Sequence, residues 1–291
     1  YENQSFLKAI DHAKKNKSYL HLIVMLSSGN VHSSNGHLYA LLELCKRAGL
    51  KKQVKLHVIL DGRDCAFNFG VNFINELEEE MSKLQVGEIA SISGRFFAMD
   101  RDNRWQRVEK AYQAMADGRA DNSATSAEKA VLASYKEKVY DEEFVPTIIT
   151  DKKGQPVGKF HDNDAAIFFN FRPDRARELT KAFVMPSFAG FERKRIENLF
   201  FVTMTEYEQR LPVSKVAFPP INVAMPLGLV LEGRGIKQLR VAETEKERFV
   251  TYYFNGQREQ PFHGESRLII PSAKVPTYDL KPEMSAFEIT D

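Results

Sequence analysis

One pattern constrains this chain more than any other: short apolar runs, each followed by a polar turn and an amphipathic stretch. The runs are Leu20–Leu26, Val54–Leu60, 89–92, 165–169 and 199–204. Continuous apolar strands of this length suit burial on both faces of a sheet. The stretches between them carry helical spacing. Leu38, Leu41, Leu42 and Cys45 share a face over 36–48, which stops at Gly49. Phe73, Ile74, Leu77 and Met81 share another over 71–84. Repeated strand–turn–helix units predict an α/β fold, a three-layer mostly parallel sheet with helices on both faces.

The rest reads less regularly. A charged helix is expected over 99–115, starting at Asp100, then a loop over 117–126 and a helix over 127–138. A hairpin is expected from 145–150 and 156–160 around Asp151-Lys152-Lys153-Gly154. A helix follows Arg175 to Phe183, with Arg177 expected to face solvent. Pro212, Pro219, Pro220 and Pro226 mark a boundary, read as domains 1–220 and 221–291. The second has a helical piece near 227–233 and strands expected at 238–242, 249–254 and 268–270. About 70 such residues seldom make a complete α/β domain.

Ligands of open parallel sheets bind at the carboxyl ends of the strands. Here those ends carry a common chemistry. The first strand leads to His32, the second to Arg63 and Asp64, the third to Arg95 with Arg101 close behind, and the run at 165–169 to Arg172 and Arg175. Arginine offers a permanently charged planar fork that matches phosphate and carboxylate oxygens. Taken singly, Arg63 beside Asp64 and Arg172 near Asp174 read equally well as local ion pairs, and His32 as a turn residue. Their joint placement at successive strand ends points instead to a small phosphorylated acid. Asp64 is the best acid/base candidate.

Other classes find little support. The formal net charge of +2 lacks the basic excess of a nucleic-acid binder. No apolar run reaches the ~18 residues of a membrane span. No CxxC or HxxxH spacing suggests zinc, and no GxSxG, Walker loop or GxGxxG is present. Cys45 and Cys65 suit a reducing, cytoplasmic setting. The N-terminus has no initiator Met or signal pattern, as though cut from something longer.

Longer motifs add a resemblance. LHVILDGRD (56–64), SISGRFFAMDRDNRW (91–105), FFNFRPDRAR (168–177), FVTMTEY (201–207), AETEK (242–246) and PEMSA (282–286) together resemble the cofactor-independent phosphoglycerate mutases. The match runs in order along nearly the whole chain. The resemblance implies interconversion of 3-phosphoglycerate and 2-phosphoglycerate in a cytoplasmic, monomeric enzyme that needs no 2,3-bisphosphoglycerate. It implies an alkaline-phosphatase-like domain with two divalent metals, usually manganese, and a phosphorylated serine. A glycerate-binding domain is inserted into it. This chain resembles the inserted domain plus part of the phosphatase-like one.

Carried over by motif, His32, Arg63, Asp64, Arg95, Arg101, Arg172 and Arg175 fall on substrate-binding positions. Asp64 falls on the proton shuttle between the glycerate hydroxyls, and Arg172 and Arg175 on positions holding the transferring phosphoryl group. Lys246 falls on an active-site lysine of the phosphatase-like domain. The metal ligands and the serine motif of the family do not occur in this sequence, which implies that the chain alone is inactive. Two local departures stand out. The turn written Ser-Asp-Gly-Gly-Val-His-Ser-His in the family is Ser27-Ser28-Gly29-Asn30-Val31-His32-Ser33-Ser34 here. The family's Tyr-Ala-His-Val-Thr after the lysine is Glu247-Arg248-Phe249-Val250-Thr251. The rivals are a phosphoglycerate-binding module without catalysis and an interaction fragment without a ligand.

Overall fold

A computed structural model describes residues 1–291 except 222, 276 and 277. The described residues form two compact units, Tyr1–Pro219 and Pro220–Asp291.

The first unit is built on an eight-stranded sheet. Its strands are β1 (Leu20–Leu26), β2 (Val54–Leu60), β3 (Glu88–Gly94), β4 (Asn122–Ala124), β5 (Thr147–Ile149), β6 (Ala165–Phe168), β7 (Phe200–Thr205) and β8 (Lys215–Phe218). They lie in the order β4-β5-β3-β2-β1-β6-β7-β8, all parallel except at the β3–β5 pair. Both faces are covered, as the unbroken apolar runs require. Leu20, Leu22, Val24 and Leu26 of β1 enter the core shared with α1 (Gln4–Asn16), α2 (Asn35–Arg47), α3 (Gly70–Leu84) and, through Ala127 and Val131, α6 (Ala127–Lys136). Ile23 and Met25 enter the opposite core, with α5 (Trp105–Ala116) and α7 (Arg177–Val184). Each fully buried Leu, Ile or Val contributes roughly 1.5–3 kcal/mol.

The second core holds a polar chain. Asp164 accepts a hydrogen bond from His21 Nε2 at 3.0 Å, His21 Nδ1 lies 2.9 Å from His57 Nε2, and His57 Nδ1 lies 2.8 Å from Ser91 Oγ. The carboxylate fixes every proton: both imidazoles are neutral with hydrogen on Nε2, and Ser91 donates to His57. Phe160 stacks on His21 at 3.7 Å between ring centres. The chain links Asp164, beside β6, to β1, β2 and β3, and so opposes register slips among these strands.

Several expectations need correction. The helix over 99–115 is interrupted: Arg95–Ala98 forms one turn (α4), and the chain restarts at Trp105. Asp100 causes the break, its Oδ1 accepting the Asp102 and Arg104 amides at 2.9 Å each. The hairpin shrinks to a single bridge, Thr150 to Pro156, because β5 pairs with β3 and β4 instead. The expected loop at 117–126 holds the edge strand β4, and α1 and β8 carried no clear sequence signal. Arg177 does not face solvent freely, since its Nε is buried with no hydrogen-bond partner among the described residues.

In the second unit, β9 (Gln238–Glu243) pairs in parallel with β10 (Glu265–Ile270), and α8 (Leu227–Glu232) precedes them. The strand expected at 249–254 is a wide helical turn, Phe249–Tyr253. Aromatic and β-branched residues gave it a strand-like reading. Yet the backbone coils on from β9, with Lys246 N–H donating to Glu243 O and Phe249 N–H to Lys246 O. A short helix, α9 (Ala286–Thr290), ends the unit.

Candidate anion site at the carboxyl ends of the strands

The sheet fixes where a site forms. β1 pairs with β2 on one side and with β6 on the other. The chain leaves β1 toward α2 on one face and β6 toward α7 on the other. Such a reversal opens a crevice at the carboxyl ends of the two strands. The turns meet there: His32 O accepts the Phe171 amide at 2.8 Å, and Asn170 Oδ1 accepts the Met25 amide at 3.2 Å.

Asp61 is the hub of one half of the site. It is buried, and its Oδ1 takes Arg95 Nη1 at 2.5 Å and the amides of Arg63 and Asp64 at 3.2 and 3.1 Å. Its Oδ2 accepts the Ser27 hydroxyl at 2.5 Å. Burial opposes the charge, but Ser27, the Asp64 amide and Arg95 outweigh it and hold the Asp61 carboxyl below its ordinary range. The sequence reading missed Asp61, although it sits in the same Asp-Gly-Arg-Asp stretch as Arg63 and Asp64. Its residue type gave no sign that it would point inward.

Arg95 also binds Asp64 Oδ2 at 2.6 Å and lies 3.2 Å, through Nη2, from His32 Nε2. A guanidinium only donates, so His32 Nε2 must accept and its Nδ1 must carry the hydrogen. Burial and then Arg95 push the His32 imidazole down to about 4, so it is neutral at physiological pH. Its buried Nδ1–H has no hydrogen-bond partner among the described residues; Asp174 Oδ1 is 3.8 Å away.

Asp174 organises the other half. It pairs with Arg172 Nε at 2.9 Å and with Arg101 Nη1 at 3.0 Å. Arg63 pairs with Glu142 at 2.7 Å. Arg175 differs from all of these. Its Nη1 donates to Met99 O at 3.1 Å, and among the described residues no carboxylate pairs with it. Burial, then Arg101, Arg95 and Arg63, push the Arg175 guanidinium down to about 10. It remains a cation at pH 7, but a disfavoured one.

The structure therefore brings together His32, Arg63, Asp64, Arg95, Arg101, Arg172 and Arg175. Lys246 belongs to the second unit, where it follows β9. Among the described residues the carboxylates set against these five arginines include Asp61, Asp64, Glu142 and Asp174, and none of them forms an ion pair with Arg175. Among the described residues no group of three or more His, Cys, Asp or Glu has the arrangement to hold a metal ion.

Close packing of the turns adds a demand on Gly29. A Cβ there would lie 2.4 Å from Asp64 O. Gly29→Ala is therefore expected to push the two turns apart and lower stability by about 2 kcal/mol or more, measured by chemical denaturation; an unchanged midpoint would show that the turns yield freely. The neighbouring Asn30 sits at φ 51°. Asparagine enters this left-handed region at little cost. Asn30 thus supplies the backbone conformation that a glycine would, and Ser28 is exposed.

The sequence model described as "BPG-independent PGAM N-terminus" matches residues 1–209. This chain belongs to the 2,3-bisphosphoglycerate-independent phosphoglycerate mutase family. Among members of that family, the 2,3-bisphosphoglycerate-independent phosphoglycerate mutase of Clostridium perfringens (strain SM101) is 52% identical over all of this chain and 56% of its own length. The enzyme of the same name from Acetivibrio thermocellus is 49% identical, across 57% of its length. A solved structure of Leishmania mexicana phosphoglycerate mutase, determined at low cobalt concentration, superposes with a TM-score of 0.83 at 32% identity. It is matched over all of this chain and 54% of its own. The chain thus spans about half the length of the mutases that it matches.

Proposed function

We propose that the first unit binds phosphoglycerate in the β1–β6 crevice and supplies the glycerate-binding half of a 2,3-bisphosphoglycerate-independent phosphoglycerate mutase site. The observation that carries this reading is Arg175, a half-buried cation with no carboxylate partner among the described residues, set among four other arginines. A phosphate and a carboxylate on one small ligand supply the missing negative charge. In this reading Arg172 and Arg175 hold the phosphoryl group, and Arg63, Arg95, Arg101 and His32 hold the glycerate. Asp64 moves a proton between the glycerate hydroxyls. Its side chain is about one-fifth exposed and lies against Arg95, so a ligand can reach it. His32 adds a neutral Nδ1–H donor.

Holding the ligand between fixed cations is most of what phosphoryl transfer asks of a protein. In longer relatives the transfer is proposed to use two divalent metals and a serine nucleophile. The described residues here do not fit such a metal site, so no step is assigned to one. Lys246 is proposed for the phosphatase-like segment that the second unit represents. The working setting is proposed to be cytoplasmic and monomeric, with a small-molecule substrate and neither nucleic acid nor membrane as partner.

Calorimetry with 3-phosphoglycerate at low salt tests the binding reading. Binding is expected, weakened by Arg172→Ala and by Arg63→Ala. No heat at millimolar ligand would overturn it.

A further inference from the structure

A second carboxyl cluster lies behind the site and is used by none of the roles above. It surrounds the segment from Met99 to Arg104 that separates α4 from α5 and carries Arg101. Asp100 is buried; its Oδ1 accepts two amides of this segment, and its Oδ2 lies 3.2 Å from Arg104 Nη1 and 3.8 Å from Arg107 Nη1. Glu178, buried in the first turn of α7, reaches across from another element. Its Oε1 accepts the Asn103 amide at 2.8 Å, and its Oε2 is buried with no hydrogen-bond partner among the described residues. Glu178 and Asp100 thus grip successive amides of one short segment, Asn103 by the first and Asp102 and Arg104 by the second, which sets two buried carboxyl groups side by side. Two buried carboxyl groups so placed disfavour each other's charge unless a proton is held between them.

We infer that Glu178 is a positioning residue for Arg101, acting through a proton shared with Asp100. This rests on the phosphoglycerate reading above. Asn103 takes φ 58° between the two amides that Asp100 holds, and Glu178 accepts its own amide directly. With the proton present, Glu178 donates to Asp100 and still accepts from Asn103, which fixes both ends of the segment. Without it, two buried negative charges face one another, and the grip on Asn103 loosens. The charged groups set against the pair are Asp102, Arg104 and Arg107, from the segment and α5. Both of the α5-side arginines bind Asp100, so they favour ionisation of Asp100 over Glu178. Burial and then the Asp100 charge, working against the Asn103 amide, push the Glu178 carboxyl up to about 7. The latch therefore works at physiological pH.

Glu178→Gln keeps the donor and acceptor but cannot ionise. In the ligand-free chain the Asn103 amide resonance is expected to titrate near neutral pH, and this step is expected to vanish in Glu178→Gln. Affinity for 3-phosphoglycerate is expected to fall between about pH 6 and pH 8.5 by at least about fivefold more in the wild-type chain than in Glu178→Gln. The ligand's own titration affects both proteins equally. Identical profiles in the two proteins, or an Asn103 amide that does not titrate, overturn the inference. Should the wild-type chain bind no 3-phosphoglycerate, the functional reading falls, and the latch stands or falls on the Asn103 titration. If Glu178→Gln does not fold, Asp100→Asn removes the same charge repulsion and takes its place.

Discussion

Replacing Arg175 with methionine is expected to remove most 3-phosphoglycerate binding while making the ligand-free protein more stable. The two effects share one cause. Arg175 is half-buried and donates to the Met99 carbonyl, no carboxylate pairs with it among the described residues, and three other arginines raise its energy. Methionine keeps the packing of the arginine stem and removes the charge. Truncating one partner of a desolvated charge pair lowers affinity by about 2–5 kcal/mol. Removing an uncompensated charge works the other way in the free protein, and a gain of ~1 kcal/mol would raise Tm by about 2–4 °C. Calorimetry and a thermal melt of the same sample read both numbers. Affinity within twofold of wild type would remove Arg175 as the anion anchor. A lower Tm would show that its charge is compensated in the free protein.

The second large effect is on acid stability. His21 and His57 are fully buried, and burial pushes both imidazoles down, for His21 against the opposing pull of Asp164. His32 is pushed down to about 4. Each is neutral when folded and becomes protonated when unfolded below about pH 6.5. The unfolded chain therefore binds more protons in that range, and stability falls as pH drops from there. Each group contributes up to about 1.4 kcal/mol per pH unit. Glu178 acts in the opposite sense. Its folded carboxyl is raised, so between about pH 7 and its ordinary range folding takes up a proton, which offsets one histidine. The remainder is roughly two protons, and several kcal/mol should be lost between pH 7 and pH 5. Trp105 is the single tryptophan and lies in the first unit, so its fluorescence follows this unit in urea at each pH. A stability that stays level to pH 5 would mean that the buried imidazoles are already charged.

The sheet was legible because its strands are buried on both faces. Such strands must be apolar without interruption, and a sequence displays that directly. The clustering of His32, Arg63, Asp64, Arg95, Arg172 and Arg175 was legible for a related reason, since successive strand ends share one side of a parallel sheet. The partners were not. Asp174 was in view only as a local pair for Arg172, not for Arg101, and Asp61 reads the same whether it faces solvent or grips an arginine. Only the packed turns decide that. Asp100 and Asn103 broke an expected helix through side-chain and backbone choices that 3.6-residue spacing does not register. Phe249–Tyr253 read as a strand by propensity, and the coil leaving β9 overrode it.

The pairing of β1 with β6 has a kinetic consequence. The two strands are adjacent in the sheet, yet about 140 residues of chain lie between them. Arg63 and Arg95 emerge early during synthesis, whereas Arg172 and Arg175 arrive only with the turn after β6. Closing so long a loop is slow compared with the local β1–β2 pairing. No nascent or partly folded form that lacks β6 can hold the anion with all five arginines. Recovery of ligand affinity during refolding should therefore lag behind recovery of helical signal, and would time the insertion of β6 into the sheet.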